Sequence, residues 1–109
     1  MLDKFTAENW SDPGGNPNGG SVRGTGLSID WQAGPLGRDG ERQEPNGAFV
    51  ETVIASVVQR IEYYQTAQNK KFACRENALA ITKLEEALLW LNKRTQDREK
   101  GQVEGTHKV

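Results

Sequence analysis

At 109 residues the chain is sized for one small domain, and its net charge of −1 gives no bias toward nucleic acid or an acidic membrane. Hydrophobic residues make up only 35%, lean for a globular core, and no apolar run approaches the ~20 residues needed to span a bilayer. A single cysteine excludes an internal disulfide, and Met1-Leu-Asp-Lys-Phe-Thr lacks the basic-then-apolar pattern of a secretion signal, so the expectation is a soluble chain in a reducing cytoplasm.

Residues 1 to about 26 are expected to form a flexible lead. Asp12-Pro-Gly-Gly-Asn-Pro-Asn-Gly-Gly is a dense run of turn formers with too little apolar surface to offset its ordering entropy. Phe5 and Trp10 precede it and are candidates to dock on a partner. Asn9-Trp10-Ser11 matches a glycosylation sequon, which in a cytoplasmic chain is chance. Gly24-Thr-Gly-Leu-Ser starts like a phosphate loop, but Ile29 stands where the third glycine belongs and no helix follows, so that reading is rejected. Leu27-Ser-Ile-Asp-Trp-Gln alternates apolar and polar residues, a short-strand signal with Leu27, Ile29 and Trp31 on one side. A lone strand is not stable, so it must lie on a helix or pair with another chain. Gly34-Pro-Leu-Gly-Arg-Asp-Gly follows as a loop, and polar residues continue to Pro45.

Asn46 is the expected cap of a first helix, from about Gly47 to Gln68. Val50, Val53, Ile54, Val57, Val58, Ile61 and Tyr64 fall on one face of it, and this sustained period outweighs the low helix propensity of so many β-branched residues. A short connection, residues 66–72, carries Lys70 and Lys71 and predicts an antiparallel return. The second helix is expected from about Ala73 to Glu99, with Gly101 as terminator and no evident N-cap residue. Asn77, Ile81, Leu84, Leu88 and Leu91 form its seam stripe, widened by Cys74, Ala80 and Ala87. Residues 92–100 are polar all round and should project or fray, and residues 103–109 form a tail with no assigned role.

The opposite face of this helix carries Arg75, Leu79, Thr82, Glu86 and Trp90, with Leu89 and Lys83 at its margins. A solvated face rarely holds such large apolar residues, and a hairpin of this size is marginal alone. The expected fold is therefore an all-α core: an antiparallel helical hairpin that assembles into a homo-oligomer. In this division residues 1–45 are a Gly/Pro-rich lead, mostly irregular with a short strand. Residues 46–109 are the hairpin domain for ligand binding and oligomerisation, with a polar C-terminal tail.

The residues needed for catalysis are missing. His107 sits in the tail without a ligand-spaced Cys, Asp or second His, which argues against a structural metal. Cys74 is expected to be a packed thiol. Glu85 and Glu86 point ~100° apart on a helix and cannot act as a carboxylate pair. No enzyme, metal or cofactor is expected. Arg75 and Thr82, by contrast, lie two turns apart on one face, where a guanidinium fork and a hydroxyl can meet one phosphorylated ligand. Lys83 lies nearby, Lys70 sits at the bend, and Tyr63 and Tyr64 offer flat faces for a base. The ordinary alternative is that Arg75 pairs with Glu76 or Glu62, Tyr64 is core and the lysines are solvated.

From about Gly47 the chain resembles a known family. Cys74-Arg-Glu-Asn-Ala-Leu-Ala-Ile-Thr-Lys-Leu-Glu-Glu-Ala-Leu-Leu-Trp-Leu, with Arg60-Ile-Glu-Tyr-Tyr-Gln before it and Val103-Glu-Gly-Thr-His after it, is similar to the helical hairpin domain shared by phage anti-CBASS and anti-Thoeris sponge proteins. The resemblance implies a protein of the host cell cytoplasm that binds cyclic di- or trinucleotide second messengers without cleaving them and so starves defence effectors. It also implies hexamers with pockets between hairpins. Arg75 and Thr82 match polar positions of the motif, as does Lys83. Tyr63, Tyr64 and Lys70 come from the more variable first helix and bend. Residues 1–45 depart from the short helical lead of the cyclic-oligonucleotide branch. The branch that binds cyclic ADP-ribose isomers carries extra β structure there, which keeps such a ligand open. A helical assembly protein with no nucleotide ligand is the third reading. Neither a membrane nor DNA is an expected partner.

Overall fold

The computed structural model describes residues 4–37 and 39–100. Gly101, His107 and the tail at 103–109 lie outside the described residues. The chain divides into two compact units, one containing the chain up to Phe49 and the other Val50–Asp97.

In the first unit, β1 (Phe5–Ser11), β2 (Pro17–Gly24) and β3 (Leu27–Trp31) form an antiparallel three-stranded meander in that order. Ala7 opposes Val22, which opposes Ile29; Phe5 opposes Gly24, which opposes Leu27; Asn9 opposes Gly20, which opposes Trp31. Directly opposed residues share a face. Phe5, Ala7, Val22, Leu27, Ile29 and Trp31 therefore make one face apolar, while Thr6, Glu8, Ser21, Arg23, Ser28 and Asp30 make the other polar. On the polar face Arg23 pairs with Asp30 and donates from Nη1 to the Ile29 carbonyl at 2.7 Å. Both partners are exposed, so the pair contributes at most ~1 kcal/mol.

These strands overturn the all-α expectation: the chain is α+β, and the segment expected to be mostly irregular holds a sheet. The Pro/Gly run is the turn that closes a hairpin. Asp12 Oδ1 accepts from the backbone N–H groups of Gly14 and Asn16, each at 2.9 Å, and the Asp12 N–H donates to the Asn16 carbonyl at 2.9 Å. Turn chemistry that resembles a tail by composition thus joins two strands. Pro17 opens β2, where a missing ladder donor is tolerated. Gly20 is there because two backbones meet: a Cβ on it would stand 2.3 Å from the Glu8 carbonyl oxygen, beside the register shift between Asn9 and Ser11. β3, expected as a lone strand, is paired within its own chain.

After a single 3-10 turn at Asp39–Glu41 the chain returns to the end of β3. The Ala48 N–H donates to the Asp30 carbonyl at 2.7 Å, and the Gln32 N–H donates to the Ala48 carbonyl at 2.9 Å. Asn46, expected to cap the first helix, serves here instead. Its Oδ1 accepts from the Ala33 N–H at 2.8 Å, and its own N–H donates to Gln32 Oε1 at 2.9 Å.

The second unit holds α1 (Val50–Lys70) and most of α2 (Arg75–Lys100). Regular helix ends at Ala67, whose ψ is 145°, and Gln68, Asn69 and Lys70 follow with φ of 48°, 53° and 68°. Left-handed backbone costs roughly 1–2 kcal/mol per non-glycine residue, least for Asn. A local tie holds this turn. Gln65 Nε2 donates to the Cys74 carbonyl at 3.1 Å, and the Cys74 N–H donates to Gln65 Oε1 at 2.9 Å. The amide thereby meets both backbone groups of Cys74, the residue before α2, and satisfies one of the donors left open at the start of the helix. Cys74 itself is exposed and not a packed thiol.

Val58, 7% exposed, is the one buried hydrophobic side chain among the described residues. Ile54, Ile61, Ile81, Leu84, Leu88 and Leu91 are half-buried, but the described contacts between α1 and α2 are too few to close the expected antiparallel seam within one chain. Leu89 and Trp90 are 70% and 65% exposed, on the face of α2 away from that stripe.

Candidate functional site

The candidate residues occupy three places in the helical unit. Arg75 and Thr82 stand on α2, Lys83 beside them; Tyr63 and Tyr64 stand in the last regular turns of α1; Lys70 lies in the left-handed bend.

Arg75 is the first residue of α2 and exposed. Neither Glu76 nor Glu62 pairs with it, and no other side chain among the described residues does. Positions three and four residues on are Ala78 and Leu79, so its own helix offers no carboxylate in reach. Thr82 lies two turns further along. Its Oγ1 donates to the Ala78 carbonyl at 3.1 Å, back-bonding within the helix. The oxygen keeps acceptor capacity, and the hydroxyl turns outward as a donor only by giving up that bond. Lys83 is held loosely to Glu86 at 3.8 Å, with both side chains well exposed.

On α1 the rings of Tyr63 and Tyr64 have centroids 6.1 Å apart and planes tilted by 54°. Tyr64 is 40% exposed and so not a core tyrosine. Arg60 completes this cluster and was not a candidate from residue types. Its guanidinium carbon lies 5.2 Å from the Tyr63 centroid and 4.8 Å from that of Tyr64, and its Nε–H donates to the Tyr64 hydroxyl at 3.1 Å. Spacings of three and four residues on a helix were the available signal. In the bend, Lys71 Nζ lies 5.5 Å from the Phe72 ring centroid.

The structure thus brings Tyr63 and Tyr64 together and keeps Arg75 and Thr82 on one helix. Among the described residues, no hydrogen bond, ion pair or ring contact links the tyrosines to Arg75, Thr82 or Lys83 within one chain. Chemically, the unit presents guanidinium and ammonium groups beside exposed aromatic and apolar surface. That combination suits a ligand bearing both phosphate and base. No group of three or more His, Cys, Asp or Glu side chains is placed to hold a metal ion among the described residues. No helix described is long and apolar enough to cross a membrane.

Comparison with known proteins bears on the same elements. The family described as Acb2/Tad1, hairpin domain, matches residues 27–96, from β3 into α2. Thoeris anti-defense 1 of Bacillus phage SBSphiJ7 is 48% identical over 97 residues, covering 86% of this chain and 63% of that protein. The chain therefore spans less than two thirds of that relative's length.

Proposed function

Because this chain belongs to the Acb2/Tad1 hairpin-domain family, we propose that it sequesters a cyclic nucleotide second messenger of host antiphage defence without cleaving it. The observation that carries this reading is the near-half identity to Thoeris anti-defense 1, which runs through the helices that bear the candidate residues. Arg75 would grip phosphate, Thr82 would bond a ligand hydroxyl or phosphate oxygen, and Lys83 and Lys70 would add charge. Tyr63 and Tyr64 would stack on a base. Protein action is then stoichiometric, in the host cytoplasm, and ends with the messenger intact.

Two ligand classes follow from different features. The N-terminal sheet and the relative's name favour a cyclic ADP-ribose isomer, the signal class of Thoeris. Cations set apart on α2 and in the bend favour the separated phosphates of a cyclic di- or trinucleotide. A homo-oligomer, with six copies as the family resemblance implies, would bring candidate residues of neighbouring hairpins around one ligand. The exposed Leu79, Leu89 and Trp90 support such contacts.

Thermal-shift titrations with cyclic GMP-AMP, cyclic tri-AMP and a cyclic ADP-ribose isomer separate these classes. At least one is expected to raise the melting temperature, and mass spectrometry after heat release should recover it unaltered. A changed ligand would indicate an enzyme, and no response to any would leave an assembly protein. In the Arg75→Ala chain the shift should vanish with helicity retained, since charge-assisted hydrogen bonds are worth ~1.5–3 kcal/mol.

A further inference from the structure

A surface arginine on a helix can pair with a carboxylate three or four residues away. Arg60 has none: those positions are Ser56, Val57, Tyr63 and Tyr64. The described ion pairs of this chain use Arg23, Lys83 and Lys93 instead. Yet Arg60 is not a loose side chain. Its guanidinium lies over two rings, at 5.2 and 4.8 Å from their centroids, and its Nε–H is committed to the Tyr64 hydroxyl at 3.1 Å. Nε is the only nitrogen of the fork in a described hydrogen bond, and both terminal amino groups remain unspent. The residue is exposed.

Such an arrangement removes much of the conformational entropy that a free arginine would lose on gripping an anion. It also leaves a positive charge with no ion-pair partner among the described residues. The tyrosine hydroxyl and rings hold the guanidinium in place while the two terminal amino groups keep the parallel geometry that matches two phosphate oxygens. We infer that Arg60, seated on Tyr63 and Tyr64, is a phosphate-contacting residue of the ligand site on α1, and that the two tyrosines act as its seat as well as a stacking surface. This inference rests on the cyclic-nucleotide reading above. It assigns Tyr64 a double role: its hydroxyl orients Arg60, and the ring face not covered by the guanidinium is offered to a base for stacking.

The test uses the full chain and isothermal calorimetry with cyclic GMP-AMP, cyclic tri-AMP and a cyclic ADP-ribose isomer, each separately. For whichever ligand the unsubstituted chain binds, Arg60→Gln should weaken binding at least about tenfold. Arg60→Lys, which keeps the charge and loses the fork, should recover only part of that. Tyr64→Phe, which removes only the hydroxyl that receives the Nε–H, should fall between the unsubstituted chain and Arg60→Gln. Circular dichroism on each variant should show unchanged helicity, as expected for exposed side chains. Affinity unchanged in Arg60→Gln, while the unsubstituted chain binds, overturns this inference and leaves the sponge reading intact. Binding of none of the three ligands by the unsubstituted chain overturns both.

Discussion

Gln65 shows how much one side chain does at the bend. Three consecutive non-glycine residues in left-handed backbone are expensive, and the turn at Gln68, Asn69 and Lys70 needs something to over-determine it. The Gln65 amide supplies this by meeting both the N–H and the carbonyl of Cys74, so the end of α1 dictates where α2 begins. Gln65→Ala removes both bonds. At roughly 0.5–1.5 kcal/mol each, the pair is worth about 1–3 kcal/mol, and the melting temperature should fall by several degrees. Amide exchange at Cys74 should accelerate while the middle of α2 stays protected. Equal melting temperature and equal exchange at Cys74 in the two chains would show that the bend is held by something else. The residue pattern did not disclose this device because a glutamine nine positions from its target leaves no periodic or capping signature.

At the level of elements, the sheet depends on close backbone approach, and Gly20 is where that is tightest. Gly20→Ala places a methyl against the Glu8 carbonyl and should break the β1–β2 pairing, while α1 and α2 keep their hydrogen bonds. Far-ultraviolet circular dichroism should lose its strand contribution and retain its helical bands; Thr6→Ala, on the exposed polar face, is the silent comparison. An intact sheet in Gly20→Ala would mean that β1 can shift aside. The same glycine explains why the strands were hard to foresee. Period-two alternation carries the strand signal, and Pro17-Asn-Gly-Gly interrupts it in β2, while Asn9 and Trp10 interrupt it beside a register shift in β1. Only β3, with Leu27, Ile29 and Trp31 in clean alternation, was legible. The helices themselves were legible because their apolar spacing persists over many turns, although α1 begins three residues and α2 two residues later than expected. Arg75, Thr82 and Lys83 could be named from that spacing, whereas the placing of Arg60 over the two rings shows only in their distances.

The whole molecule leaves its apolar surface unfinished. Among the described residues a single hydrophobic side chain is buried, the seam stripe is half open, and Leu79, Leu89, Trp90 and Phe72 face outward. A chain with so little interior would be poorly stable as a solitary copy, because each fully buried large apolar side chain contributes only ~1.5–3 kcal/mol and few are buried at all. Assembly is the economical resolution, since one contact between copies would shelter Leu89 and Trp90 and place Arg75 and Thr82, on the same side of α2, at its margin. Changing Leu89 and Trp90 together to Ser should then reduce the mass seen by size-exclusion light scattering at micromolar concentration. Nucleotide binding should weaken in the same variant, although neither residue need touch the ligand. Because dissociation also removes the partner surface that supports each helix, the melting temperature of the unsubstituted chain should rise with protein concentration and that of the variant should not. A solitary copy at micromolar concentration, with a concentration-independent melting temperature, would detach the candidate site from assembly and leave the outer face of α2 without a role.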